Sequence, residues 1–148
     1  MIKPYKISVS DNTLKSIYKK VENYPWEEIP LLEGWSHGTN IKYIKDLSKY
    51  WINEFNWKSY ENKINKFSNF LTNINGLDVH FIKEKGSGSN PMPLIIMHGW
   101  PGSVLEFLDI IEKLAHPERF GGKEEDAFDV VAPSLPGFGF SGKPSKPM

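Results

Sequence analysis

The chain has 148 residues, 39% of them apolar and 14% aromatic, with 18 basic residues balanced by 18 acidic ones and no cysteine. That length suits one domain able to bury roughly 68–70% of its unfolded surface, which excludes a disordered tail. Neutral charge with scattered basic residues gives no electrostatic basis for a nucleic-acid or anionic-membrane partner, and the absence of Cys removes disulfides, thiolate metal sites and cysteine nucleophiles together.

Met1 to Lys6 lacks a charged stretch followed by an apolar one, so no secretory signal is expected. The longest purely apolar runs, such as Leu94 to Met97, are four residues, far below the ~20 of a membrane-spanning helix. A cytoplasmic location is expected. Ser10 then caps a helix with Leu14, Ile17, Tyr18 and Val21 on one face, as far as Pro25. A loop with Pro25, Trp26, Pro30, Trp35 and Gly38 follows, its tryptophans read as anchors of a wrapping segment. Asn40 caps a second helix with the stripe Ile41, Ile44, Leu47, Trp51 and Phe55, and a third short helix from about Trp57 carries Tyr60 and Ile64.

Near residue 66 the period falls from 3.6 to 2. Two alternating strands, Phe67 to Ile74 and Leu77 to Lys83, flank the hairpin signal Asn75-Gly76. After the flexible Gly86 to Pro91 linker the pattern becomes βαβ: a buried strand at Leu94–Met97, a Gly/Pro turn, a helix stripe of Val104, Phe107, Leu108, Ile111 and Leu114, then an apolar strand at Phe128–Ala132. The acidic turn Glu124-Glu125-Asp126 reads as a solvated loop and not a metal site. Four strands are expected, in an unfinished α/β sheet with a helical segment wrapped on its opening.

Three motif matches near the end are decoys. Gly137 to Gly142 fits G-x-G-x-x-G, but Pro144 and Pro147 block the helix whose N-terminus would receive a pyrophosphate. Pro144 also stands where a P-loop needs Ser or Thr, and the stretch around Ser141 lacks one glycine of a nucleophile elbow.

The informative stretch is His98-Gly99-Trp100-Pro101-Gly102-Ser103, at the carboxyl end of a buried strand, where ligands bind in open α/β sheets. Gly99 and Pro101 force a sharp turn that leaves the Trp100 backbone N–H free to stabilise an oxyanion. A tight strand-to-helix turn with His98 as a satisfied core histidine fits the same spacing equally well.

Leu94 to Ser103, Glu106-Phe107 and Pro133 to Ser141 together resemble the α/β-hydrolase epoxide hydrolases. Lys45-Asp46-Leu47, Tyr50-Trp51, Phe55-Asn56-Trp57 and the hairpin Asn75 to Ile82 narrow the resemblance to the N-terminal domain of the microsomal and juvenile-hormone type, from about Tyr5 to Pro144. The resemblance implies an α/β fold: an incomplete α/β-hydrolase fold with an N-terminal helical wrapping segment, residues 1–90 forming the epoxide-hydrolase N-terminal domain and 91–148 the start of the hydrolase core. It implies hydrolysis of a small-molecule epoxide, small or lipophilic, to a vicinal diol through an Asp ester, without cofactor or metal. The Trp100 N–H is then one oxyanion donor, its indole lines the pocket, and the Trp100–Pro101 bond is cis. His98, Gly99, Pro101 and Gly102 support the turn, and His98 is not the family's water-activating base.

The family's nucleophile, second oxyanion donor, cap tyrosines and acid–His pair are expected beyond residue 148, so the chain alone is expected to be inactive. No counterpart of the membrane anchor of some members is expected before the first helix. The Leu94–Met97 strand is expected to leave an open apolar edge, inviting a C-terminal portion of the same enzyme or self-association. Two other readings are a non-catalytic remnant or subunit pairing through that edge, and another α/β hydrolase, a dehalogenase or esterase, against which the helices before residue 66 argue.

Overall fold

The computed structural model describes residues 1–29 and 34–145, and the chain divides into two compact units, one of residues 8–60 and one of residues 1–7 with 61 onward.

In the helical unit, the Ser10 side chain accepts the Thr13 N–H at 3.1 Å and starts α1 (Asp11–Glu22). Asn40 accepts the Tyr43 N–H at 3.1 Å and starts α2 (Ile41–Asn53). Each cap satisfies a donor that has no partner within its helix. Leu14, Ile17, Tyr18 and Val21 form the half-buried face of α1, as their spacing predicts. In α2 the less exposed apolar residues are Ile41, Ile44 and Ile52, whereas Leu47 and Trp51 are 45% and 42% exposed beside Tyr43 and Tyr50. The expected stripe is thus shifted: Trp51 sits one residue from Ile52, about 100° around the axis. Trp26 packs on Tyr24 with ring centroids 4.6 Å apart, and Trp35 on Tyr43 at 5.4 Å. Pro30, part of the same expected loop, lies outside the described residues. In α3 (Trp57–Ile64), Glu61 to Ile64 already belong to the second unit.

The second unit is built on a five-stranded sheet of order β1-β2-β3-β5-β4. β2 (Ser68–Ile74) and β3 (Leu77–Glu84) form the expected hairpin, with φ of 51° at Asn75 and 85° at Gly76, the left-handed pair that a two-residue turn requires. β1 (Ile2–Pro4) pairs with β2, adding a strand to the four expected. Three residues are too few for periodicity to reveal. β4 (Met92–Ile95) runs parallel to β5 (Phe128–Pro133) through a crossover containing the 3₁₀ turn Val104–Phe107 and α4 (Leu108–Ala115). The ladder of β4 begins earlier than its apolar run, and the Ile96 N–H adds a bond to the Val131 carbonyl at 3.0 Å. Pro4 and Pro93 lie on the two outer strands, where a missing N–H is tolerated. Ile64, Ile82, Val104, Ile111 and Val130 are fully buried between the sheet and its helices. No helix among the described residues is long and apolar enough to cross a membrane.

A polar cluster lies within this core. Asn69 donates both amide hydrogens, to the Ile64 and Phe67 carbonyls at 3.0 and 2.8 Å, so its oxygen must accept from His80 Nε2–H at 2.9 Å. His80 Nδ1 therefore accepts from the Ser134 hydroxyl, also at 2.9 Å. The rings of Tyr5 and Phe140 meet the imidazole edge-on at 5.8 and 5.2 Å. Burial pushes the His80 pKa down to about 4 from its ordinary 6.5. The unfolded chain thus takes up this proton first as pH falls. The stabilisation is complete above pH ~6.5 and is lost progressively toward pH ~4, a loss of about 3 kcal/mol. Urea unfolding across this range should show the wild type losing more stability than His80→Gln, the variant being weaker at pH 7 but flatter; parallel profiles would contradict the assignment.

Candidate active site

Beyond β4 the chain leaves the sheet and turns at His98 to Ser103. Gly102 fits here because a Cβ would press on the Glu106 carboxylate and lie 2.9 Å from the Gly99 carbonyl oxygen. Glu106 accepts the Ser103 N–H at 2.7 Å, and Ser103 Oγ accepts the Leu105 N–H at 3.3 Å. This reciprocal capping, written in the sequence as S-x-x-E, stops the turn from unwinding into the helix that follows.

His98 is 4% exposed. Its Nε2 accepts the Leu135 N–H at 3.1 Å, which leaves the ring proton on Nδ1, and Nδ1 donates to the Gly99 carbonyl at 3.0 Å. Phe138 meets the ring edge-on at 5.4 Å. His98 is therefore a satisfied buried histidine, as the plain-turn reading expects, and it also ties the Gly99 carbonyl of the turn.

The carbonyl that His98 holds belongs to the Gly99–Trp100 peptide. Of the bonds in this turn only Trp100–Pro101 is cis, so the Gly99 C=O and Trp100 N–H point in opposite directions. Fixing one end fixes the other. Among the described residues the Trp100 N–H meets no acceptor, and it lies past the last ladder bond, made by Ile96. The Trp100 residue is 84% exposed. The arrangement presents one oriented backbone donor and no basic or nucleophilic side chain hydrogen-bonded to it. No cluster among the described residues has the make-up of a metal site. The loop after β5 closes on itself, with Gly137 N–H to the Gly142 carbonyl at 2.9 Å. Leu135 was not legible as part of the site. It lies 37 residues from its partner His98, and a backbone donor leaves no trace in side-chain identity.

Residues 92–147 match the model of the α/β hydrolase fold, which places the second unit's βαβ segment in that class. Residues 2–107 match the model described as epoxide hydrolase N terminus, and the chain belongs to this family. It is 38% identical to epoxide hydrolase 1 of Sus scrofa over 151 aligned residues, covering 98% of this chain and 33% of that protein. The solved Aspergillus niger epoxide hydrolase superposes with a TM-score of 0.83 at 28% identity, over 100% of this chain and 38% of that one. The juvenile hormone epoxide hydrolase of Bombyx mori superposes with a TM-score of 0.84 at 29% identity, over 99% and 35%. The chain spans about a third of the length of the relatives it matches.

Replacing Gly102 by Ala should lower stability by about 1–3 kcal/mol through the crowded Gly99 carbonyl and displaced Glu106 cap. Urea denaturation measures this, and an unchanged midpoint would show that the turn has room to yield.

Proposed function

We propose that this chain forms the front part of an epoxide hydrolase that converts small or lipophilic epoxides to vicinal diols, and that Trp100 supplies one oxyanion donor. The observation that carries this reading is the Trp100 N–H past the carboxyl end of β4, which meets no acceptor among the described residues and whose peptide is held by His98. In the reaction a carboxylate oxygen attacks an epoxide carbon, the ring C–O bond breaks, and a tyrosine protonates the departing oxygen to leave a hydroxyalkyl ester. Water, deprotonated by a histidine, adds to the ester carbonyl. The resulting tetrahedral oxyanion is where an N–H donor counts most. Its collapse breaks the ester bond, the departing alkoxide takes the proton held by the histidine to complete the diol, and the carboxylic acid formed returns its proton to the tyrosinate, restoring the carboxylate. We assign the nucleophile, second oxyanion donor, tyrosines and His–acid pair to the part of the relatives' length that this chain does not span. Gly99, Pro101 and Gly102 shape the turn and His98 holds it, with no proton transfer to water.

Oxyanion donors act only after an ester exists. The 148-residue chain should therefore not accelerate hydrolysis of an aromatic epoxide such as styrene oxide above buffer, and turnover by the purified chain would overturn this division of labour. Joined to the remaining two thirds of a related enzyme, the chain with an ester in place of the Trp100 amide should slow hydrolysis of the ester intermediate by about 10²–10³, with the alkylation step nearly unchanged. Equal loss in both steps would remove the oxyanion role.

The outer side of β4 supports a proposal about partners. Among the described residues β4 pairs only with β5, and Met92 and Ile95 of the strand and Met97 just beyond it are 65%, 66% and 64% exposed. We propose that this edge receives the next part of the same enzyme and that, without it, copies of the chain associate there. Light scattering should show association that the double variant Ile95→Lys, Met97→Lys reduces; a wild-type monomer at high concentration would contradict it.

A further inference from the structure

Ser141 belongs to the stretch that fails as a nucleophile elbow, and its hydroxyl is engaged in another way. Its Oγ accepts the His80 N–H at 2.9 Å and donates to the Ser134 carbonyl at 2.7 Å. That carbonyl shares a peptide group with the Leu135 N–H, which donates to His98 Nε2 at 3.1 Å. His98 Nδ1–H donates in turn to the Gly99 carbonyl at 3.0 Å, whose peptide ends in the Trp100 N–H. Every member accepts from the one before and donates to the one after. The sequence His80 N–H, Ser141 O–H, Leu135 N–H, His98 Nδ1–H and Trp100 N–H therefore runs in a single direction.

Hydrogen bonds aligned in this way polarise one another, by about 10–30% per bond. An acceptor bond on a peptide carbonyl strengthens the donor at the other end of the same peptide. The relay is also well fixed at its origin. Ser134 is tied to His80 twice more, through its N–H to the His80 carbonyl at 2.9 Å and through its hydroxyl to the His80 ring at 2.9 Å. Gly142, next to Ser141, donates its N–H to the Asp78 carbonyl at 2.7 Å, and a Cβ on it would lie 3.1 Å from Leu77 Cδ1, so this loop is held directly against β3.

We infer that Ser141 is a positioning residue of the candidate active site: its hydroxyl orients the Ser134–Leu135 peptide, which through His98 aims and polarises the Trp100 N–H. The inference deepens the oxyanion reading and rests on it for its functional meaning, but the relay itself exists without substrate and is tested without substrate.

The test is heteronuclear NMR on the ¹⁵N-labelled chain. In the wild type, a scalar coupling across the hydrogen bond should link the Leu135 nitrogen to His98 Nε2, and the imidazole should show the Nδ1–H tautomer. In Ser141→Ala the Trp100 amide proton should move upfield and His98 should lose its uniform tautomer, while amides of α4 and of the Asn75–Gly76 turn stay in place. Ser141→Thr, which keeps the hydroxyl, should restore both signals. A Ser141→Ala chain that is folded, with His98 and Trp100 unchanged, would overturn the relay and leave the oxyanion assignment standing. If that variant does not fold, the wild-type measurement decides: absence of the Leu135–His98 coupling, or an Nε2–H tautomer, overturns the inference.

Discussion

With Leu135 N–H donating to Nε2 and Gly99 C=O accepting from Nδ1, the His98 ring ties the loop after β5 to the turn after β4. The backbone bonds of the sheet reach Ile96 on one strand and Ser134 on the other, so His98 makes its tie just past both ends. A five-membered ring with one donor and one acceptor spans the gap in a single tautomer. Lys or Arg offers only donors and a carboxylate only acceptors, so neither could satisfy both backbone partners without a stranded hydrogen or lone pair. Both ring nitrogens of His98 are thus spent on backbone partners.

The second buried histidine works the same way with opposite polarity. His80 donates from Nε2 to Asn69 and accepts at Nδ1 from Ser134, joining the end of α3, both hairpin strands and the exit of β5. Its neutral state has a structural consequence: a proton there would turn the Nδ1 acceptor into a donor facing the Ser134 hydroxyl, at the origin of the bonds that lead to Trp100. Ser134 bonds to His80 through its hydroxyl and its N–H, and the peptide it shares with Leu135 bonds to His98.

The amino-acid pattern exposes the local features well. Ser10 and Asn40 cap helices where they stand in the sequence, Asn75-Gly76 makes the hairpin, and the His98 to Ser103 turn falls at the end of a strand in a βαβ unit, because each signal spans only a few residues. What eluded reading depends on distance along the chain or on small departures in angle. β1 is three residues whose pairing partner lies about seventy positions away. The exposed shoulder of α2 at Leu47 and Trp51 differs from the inward face by a rotation that a mixed aromatic and aliphatic helix does not specify. His80 read as one alternating strand residue, since its partners Asn69, Ser134 and Ser141 are 11, 54 and 61 residues distant. For the candidate site, the turn and its buried His98 were legible in the sequence, but the Leu135 N–H that bonds His98 was not.

The fold orients the Trp100 N–H, which meets no acceptor among the described residues, and amide hydrogen exchange at Trp100 measures this most directly. The Ile96 amide, bonded to the Val131 carbonyl, should exchange slowly and serve as the internal standard, while the Trp100 amide should exchange at close to the rate of an open chain. Protection of Trp100 equal to that of Ile96 would mean that the donor is already spent, and the chain's contribution to oxyanion stabilisation would be contradicted.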